Sequence, residues 1–482
     1  MEQLKENKMG TMPIARLLAS VSGPIVVSML VQALYNVFDS VFVAFVSENA
    51  LTAVSLAFPV QNLMIAVSVG TGVGVNSLLS RRLGEKNFEA VNRIANNAVF
   101  VTLLNWLAFA LLGGLFSQLY YNLVVPMPAG ATAAQQLQIQ SIRETGASYL
   151  FIVTVFSPGL FFSITLERLL QATGRSVFSM ATQLSGAMIN FILDPIMILG
   201  LFGFPRMGAV GGAISTVIGQ FLGMLVGLAL NLLKNPDIHL RLRGFRPHRP
   251  TIGHIYRVGL PSIVVQSVGS VMVFFMNLIL AAFSTTAVAV LGIYFKLQSF
   301  VFLPVFGCNN GMISIVAFNY GAGHRARVEK TIRLNLLVCF CIMLAGTLLF
   351  WLAPALLFAP FNPSPLMLEI GVNALRLISL CFPAAAVSIV FSGVFQALGR
   401  ASYSLVMSVV RQLVFILPLA WLLARLGGLH TVWYSFAVAE LASLALAIAF
   451  FHKIWKEKIR PLAGPSGAPQ PGAPLPESLD IF

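Results

Sequence analysis

Long apolar runs separated by short polar breaks fill nearly the whole chain. Each run holds its hydrophobic character for twenty residues or more, too long for strand alternation or for one face of a surface helix. About 20 apolar residues suffice to cross a bilayer core of about 30 Å. The pattern predicts twelve spans, near 15–46, 51–80, 93–117, 143–165, 176–202, 208–233, 254–283, 288–318, 331–354, 371–393, 402–425 and 430–452. An all-α, multi-pass membrane protein follows. Composition agrees. Of the 482 residues 57% are hydrophobic and 10% charged, with a mean hydropathy of +0.86. Soluble domains carry about 25% charged residues.

Charge sets the topology. The formal net charge is +14. The basic residues gather in loops after even-numbered spans, "RRLGEKNFEAVNR", "NPDIHLRLRGFRPHRPT" and "GAGHRARVEK", and in "HKIWKEKIRP" near the C-terminus. Loops after odd-numbered spans, such as "SENA", "STTA" and "APFNPSP", are nearly free of Lys and Arg. Positive loops face the cytoplasm, so an even span count places both termini there. The basic balance therefore reflects topology, and nucleic acid is not an expected partner. The polar N-terminal stretch does not read as a cleavable signal. The tail "GPSGAPQPGAPLPESLDIF" has the composition of a disordered extension.

The chain repeats itself. At a shift of 237, Pro24 meets Pro261, Gln61 meets Gln298, Gly70 meets Gly307, Gly74 meets Gly311 and Gly84 meets Gly321. Later the shift becomes 225, where Pro158 meets Pro383 and "QATGR" (171–175) meets "QALGR" (396–400). Two six-span halves of one ancestry follow. Six is even, so both insert the same way up, as in transporters with parallel repeats. The expected division is an N-terminal segment 1–13, an N-lobe 14–233, a basic linker 234–253, a C-lobe 254–456 and a tail 457–482.

Three acids fall well inside the predicted spans: Asp39, Asp194 and Glu440. An ionisable residue there costs about 2.5–3.5 kcal/mol on insertion scales and commonly faces a partner or a cavity. Asn190 and Asp194, in "MINFILDPIMILG", are four apart and share a helix face. Gln32 and Asp39, seven apart, share another. Span directions bring Asp39, Asn190, Asp194 and Thr216 to similar depth in the first half. Their carboxylate, amide and hydroxyl oxygens suit a hard cation such as Na⁺. Two buried carboxylates suit a proton equally, since burial and like charge both favour the neutral acid. Pro195 lacks an N–H, so the fifth span can bend beside Asp194. Glu440 shares its half with Lys296, Arg376 and Arg411; a structural ion pair and a substrate role both fit it.

Other chemistries find little support. The six histidines lie in loops or at span ends, without a catalytic or metal constellation, so an enzyme is not expected. Cys308, Cys339, Cys341 and Cys381 all lie in apolar runs. "GTGVG" (70–74) has no strand before it and no Lys-Ser/Thr after it, so it is not a phosphate loop. Its small residues instead permit close helix approach in a membrane.

The segments "PIVVSMLVQALYNVFDSVFVAFVSENALTAVSLAFPVQNLM", "GTGVGVNSLLSRRLGEKN", "NFILDPIMILG" and "QALGR" resemble multidrug and toxic compound extrusion (MATE) transporters over roughly residues 12 to 456. Within that family the resemblance is nearest to the DinF-like bacterial branch, because the acids cluster in the N-lobe. It implies a V-shaped pair of six-helix lobes that alternates between outward and inward openings. It implies export of bulky cationic or aromatic drugs in exchange for Na⁺ or H⁺, with no other cofactor, by a monomer in the bacterial cytoplasmic membrane. By matching position it assigns Asp39, Asn190, Asp194 and Thr216 to the coupling-ion site. Gln32, Asp39 and Asp194 would line the drug cavity, with Glu440 in second rank and Pro195 as hinge. Residues 254–318 contain no Asp or Glu, which argues against the C-lobe ion site of a related branch. A lipid-linked oligosaccharide flippase of the same superfamily is the alternative.

Overall fold

The computed structural model describes the backbone of residues 7–44, 48–127, 132–241, 245–361 and 363–462, and their side chains except at 35–44, 48 and 51. Among the described residues ten helices are long and apolar enough to span a membrane, and two bent pairs, each counted as one span, bring the total to twelve. The N-lobe consists of Ile14–Ala44, Glu48–Gly84, Phe88–Val124, the pair Ala133–Val155 and Pro158–Ala172, Ser176–Leu199 and Gly208–Lys234. The C-lobe follows with Arg249–Ala281, Thr285–Gly321, Arg325–Leu352, the pair Pro365–Ser379 and Phe382–Ala397, then Ala401–Gly427 and Leu429–Ile459. The last helix, Leu429–Ile459, runs three residues into the tail expected at 457–482; residues 463–482 lie outside the described residues.

The bends fall at equivalent places. The fourth span turns by 41° and the tenth by 49°. Pro158 opens the second piece of one and Pro383 that of the other. Proline has no N–H to continue the preceding helix and its fixed φ suits a helix start. The repeat at a shift of 225 therefore carries a backbone break as well as a sequence match.

The lobes meet through glycine. A Cβ on Gly70 would lie 2.6 Å from the Ile263 backbone nitrogen, and one on Gly307 would lie 2.8 Å from Val26 Cα. A Cβ on Gly74 would strike the Ile255 carbonyl, and one on Gly311 would strike Ser22. Gly84 abuts the Phe318 carbonyl as Gly321 abuts that of Arg81. Val26 and Ile263, like Arg81 and Phe318, are themselves 237 apart. The second span thus packs on the seventh as the eighth packs on the first. All six glycines lie in the half of the membrane nearest the basic loops.

Polar contacts between lobes gather on this same side. Ser77 donates to the Gln396 carbonyl at 2.8 Å, Ser314 to Asn76 Oδ1 at 3.0 Å and Tyr256 to Asn105 Oδ1 at 2.8 Å. The two lobes are closed against each other at the basic face. Away from it, broad helix faces are apolar and exposed: Leu111, Leu115 and Leu123 on the third span are each more than 60% accessible, as a lipid-facing surface requires.

Replacing Gly84 or Gly321 by Ala drives a methyl group into backbone that has no rotamer to yield. Each substitution should cost about 1–3 kcal/mol of the packed arrangement, read as a lowered unfolding temperature of the purified protein. Gly253→Ala, with open space around the position, should leave that temperature unchanged.

Candidate functional site

The fifth and sixth spans approach more closely than ordinary side chains allow. A Cβ on Gly219 would stand 2.7 Å from the Gly186 carbonyl oxygen and 2.9 Å from Asn190 Cβ. Gly211 is pressed against the Met197 carbonyl region in the same way. This approach sets Asn190 and Asp194 directly against the sixth span. The fifth helix runs unbroken through Pro195 and ends at Gly200, in the left-handed region at φ 76°. Pro195 therefore sits inside a continuous helix in this conformation.

Asp194 is 1% and Asn190 3% accessible. Ser215 Oγ donates to Asp194 Oδ1. Turned to satisfy both of its ends, the Asn190 amide donates to Asp194 Oδ2 at 2.8 Å. Its oxygen then accepts from Thr216 N at 3.0 Å and Thr216 Oγ1 at 3.2 Å. One carboxylate, one amide and two hydroxyls thus form a connected group within the membrane. Three of them, Asn190, Asp194 and Thr216, are those expected from sequence. Ser215 was missed. Thr216 bonds to Asn190, while its neighbour Ser215, fully buried, meets the carboxylate itself.

The first span lies beside the fifth. Gln32 accepts from Gln183 Nε2 at 2.7 Å. Asp39 lies within the helix Ile14–Ala44, and its side chain lies outside the described residues. Among the described residues no group of three or more His, Cys, Asp or Glu could hold a metal. Asn190, Asp194, Ser215 and Thr216 bring together oxygens of the type that hard cations use, and a buried carboxylate is also a group that can take a proton.

The C-lobe is built differently. Glu440 is 3% accessible and accepts from Arg411 NH1 at 3.0 Å. Arg411 lies in a π-helical turn, Val410–Ile416, within the eleventh span. Tyr294 packs beside this pair, with its ring 6.2 Å from that of Phe436. At the shift of 225, Glu440 occupies the position of Ser215. Lys296 Nζ sits 6.0 Å over the Phe361 ring, and the Arg376 carbonyl accepts from Trp351 and Ser379.

The fourth span reaches Ala172, beyond the expected boundary at 165, and so brings Glu167 inside a spanning helix. Beside it, Arg168 is 7% accessible, donates to Gln171 Oε1 at 2.9 Å and packs on Gly72. Glu167 thus lies on a spanning helix, five residues from its end at Ala172.

Two six-helix lobes closed at one face, with a buried group of one carboxylate, one amide and two hydroxyls in the first, define a polytopic membrane protein of transporter architecture. The sequence model of the MatE family matches residues 24–196 and 261–422. The chain belongs to the MATE family of transporters. It is 24% identical over 435 residues to the multidrug export protein MepA of Staphylococcus haemolyticus (strain JCSC1435), covering 89% of this chain and 92% of that one. MepA of Staphylococcus aureus (strain NCTC 8325 / PS 47) is likewise 24% identical, with 91% and 94% covered. Among solved structures, an outward-facing multidrug resistance MATE transporter superposes with a TM-score of 0.86 at 23% identity, covering 95% of this chain and all of that one. A MOP superfamily transporter from Pyrococcus furiosus, described as having a binding pocket of reversed polarity, superposes with a TM-score of 0.84 at 23% identity, covering 96% and 99%. These structures share the twelve-helix, two-lobed fold.

Ser215→Ala would leave a buried carboxylate oxygen without its donor. Such a loss costs about 1–3 kcal/mol, and should appear as a lowered unfolding temperature with the helical content kept. Arg411→Ala should cost more, about 3–5 kcal/mol, since it leaves Glu440 buried and uncompensated. Arg411→Met with Glu440→Leu should recover most of that loss in the same thermal measurement.

Proposed function

We propose that this chain is a multidrug efflux antiporter that exports cationic and aromatic drugs in exchange for Na⁺ or H⁺ by alternating access. The observation that carries the reading is the buried cluster of Asn190, Asp194, Ser215 and Thr216 within the N-lobe. Kinship to the MepA exporters supports drugs as the cargo. With the basic loops read as cytoplasmic, the closed face is the cytoplasmic one, and alternating access then has this conformation as the outward-open state. Both termini are then cytoplasmic, and the cell membrane of a bacterium is the setting.

The cluster works by competition. Empty of cation, Asp194 and Asp39 offer negative charge to a drug cation. When Na⁺ or H⁺ enters from outside, it takes the same charge. The Asn190 amide and the two hydroxyls can turn their oxygens to Na⁺, or Asp194 can accept a proton and keep the hydrogen bonds of a neutral acid. Either event removes the attraction for the drug, which leaves outward. Coupling needs each ligand to bind the two conformations unequally. Pro195 supplies a place where the fifth helix gives with little loss, since its i−4 hydrogen bond is already absent. Gln32, which accepts from Gln183 of the fifth span, belongs to the same lobe on the first span. Glu440, held by Arg411, acts in the C-lobe as a fixed ion pair, with any contact to drug secondary.

Efflux of preloaded ethidium from intact cells tests the reading. Wild type should export it, and Asp194→Asn and Asp39→Asn should each reduce export to the background rate at unchanged membrane abundance. Added Na⁺ at fixed pH should accelerate export if Na⁺ is the ion, and an imposed pH step should do so if it is H⁺. Export at the wild-type rate by either variant removes the site assignment. Failure of wild type to export any cationic dye, though present in the membrane, overturns drug export and favours a lipid-linked oligosaccharide as cargo.

A further inference from the structure

A short segment ahead of the first span grips both lobes. Residues 7–12 form one helical turn, Lys8–Thr11, capped by Asn7, whose Oδ1 accepts from Met9 N at 3.0 Å. Toward the N-lobe, Asn7 Nδ2 donates to the Thr173 carbonyl at 3.2 Å, and it also reaches Asp237 Oδ2 of the linker at 3.4 Å. Met9 is fully buried beside Gly174. Toward the C-lobe, Asn319 Nδ2 donates to the Met9 carbonyl at 3.1 Å. Arg327 NH2 donates to the Met9 and Met12 carbonyls at 3.0 and 2.8 Å, while its Nε donates to Asn319 Oδ1 at 2.8 Å. A Cβ on Gly10 would lie 3.3 Å from the Phe318 ring. The arginine is spent on backbone carbonyls of this turn, a planar fork used to hold a chain in place.

The linker ahead of the seventh span does the same in reverse. His239 N donates to Asn92 Oδ1 at 2.7 Å, Arg241 N to Asn96 Oδ1 at 2.8 Å and His248 N to Asn97 Oδ1 at 2.9 Å. These asparagines line the start of the third span. Arg327 lies at the start of the ninth, the same place in the other half. Each lobe thus sends its leading segment onto the other lobe.

We propose that these two segments are lobe-swapped straps that hold the basic face shut, and that Arg327 is the positioning residue that fastens the first of them. The proposal rests on the alternating-access reading. For the basic face to open, the glycine contacts must part. A strap joined to its own lobe within a few residues, at Ile14 or Arg249, must then release the other. Loss of the Arg327 fork removes contacts made only in the closed state, so it shifts the population toward opening at that face.

The test uses the full chain in lipid nanodiscs with Cys341→Ser. Spin labels are placed by Glu89→Cys and Arg333→Cys, at positions whose side chains are 84% and 80% accessible. Electron–electron distances should lengthen in Arg327→Ala, with the population open at the basic face raised about tenfold or more, and Arg327→Lys should fall between it and the parent. An unchanged distance distribution in folded Arg327→Ala overturns the proposal. Should that variant not fold, Gly10→Cys with Phe318→Cys provides the second arm. Oxidation should fix the short distance and stop export, and reductant should restore both. Opening of the fully cross-linked protein at the parent's frequency overturns the proposal. The distance readout needs no cargo, so failure of the parent to export drug counts against the function and leaves this test standing.

Discussion

Six glycines in two symmetry-related sets decide how this molecule is assembled. At Gly70, Gly74, Gly84 and their partners Gly307, Gly311 and Gly321, the backbone of one lobe rests on that of the other with no room for a methyl group. In lipid, apolar side chains gain little by leaving the solvent, so close backbone packing and interhelical hydrogen bonds carry association. Ser77, Asn76 and Ser314 add such bonds at the same level. A contact of this kind is all-or-none: parted by an ångström, it loses most of its dispersion energy. The lobes therefore have a well-defined closed arrangement at the basic face, and the remaining structure is organised around keeping or leaving it.

The duplicated halves have kept the scaffold and diverged in their chemistry. The bends at Pro158 and Pro383 survive in both. So do the glycine contacts. Yet the N-lobe interior holds a carboxylate among neutral donors, while the C-lobe has Glu440 at the position of Ser215 and compensates it with Arg411. A carboxylate already paired with a guanidinium has little left to offer a passing cation. The N-lobe carboxylate is met by a serine and an amide instead. The two halves thus differ in charge at equivalent places on one scaffold.

Much of the fold was legible because membrane crossing imposes long runs, and because the repeat could be read without a gap from Pro24 to Gly84. The span ends were less legible: the fourth span reads as ending near 165, whereas its helix continues to Ala172 and carries Glu167 and Arg168. At the site, Asn190 and Asp194 followed from their four-residue spacing. Ser215 did not: adjacent positions in "GGAISTVIGQ" point 100° apart, and only the close packing of Gly219 on Gly186 brings both hydroxyls to the group, Ser215 at Asp194 and Thr216 at Asn190. The straps were illegible, because asparagines at 92, 96 and 97 look like ordinary loop-side polarity until the linker is seen lying on them.

The most direct measurement is coupled flux in proteoliposomes containing only this chain. An outward-directed gradient of a cationic dye should drive Na⁺ or H⁺ in the opposite direction, with a fixed ratio of ions to dye, and Asp194→Asn should abolish both fluxes together. Dye movement that proceeds at the same rate with no counter-flow of either ion would contradict the account, whatever the structure of the carboxylate cluster.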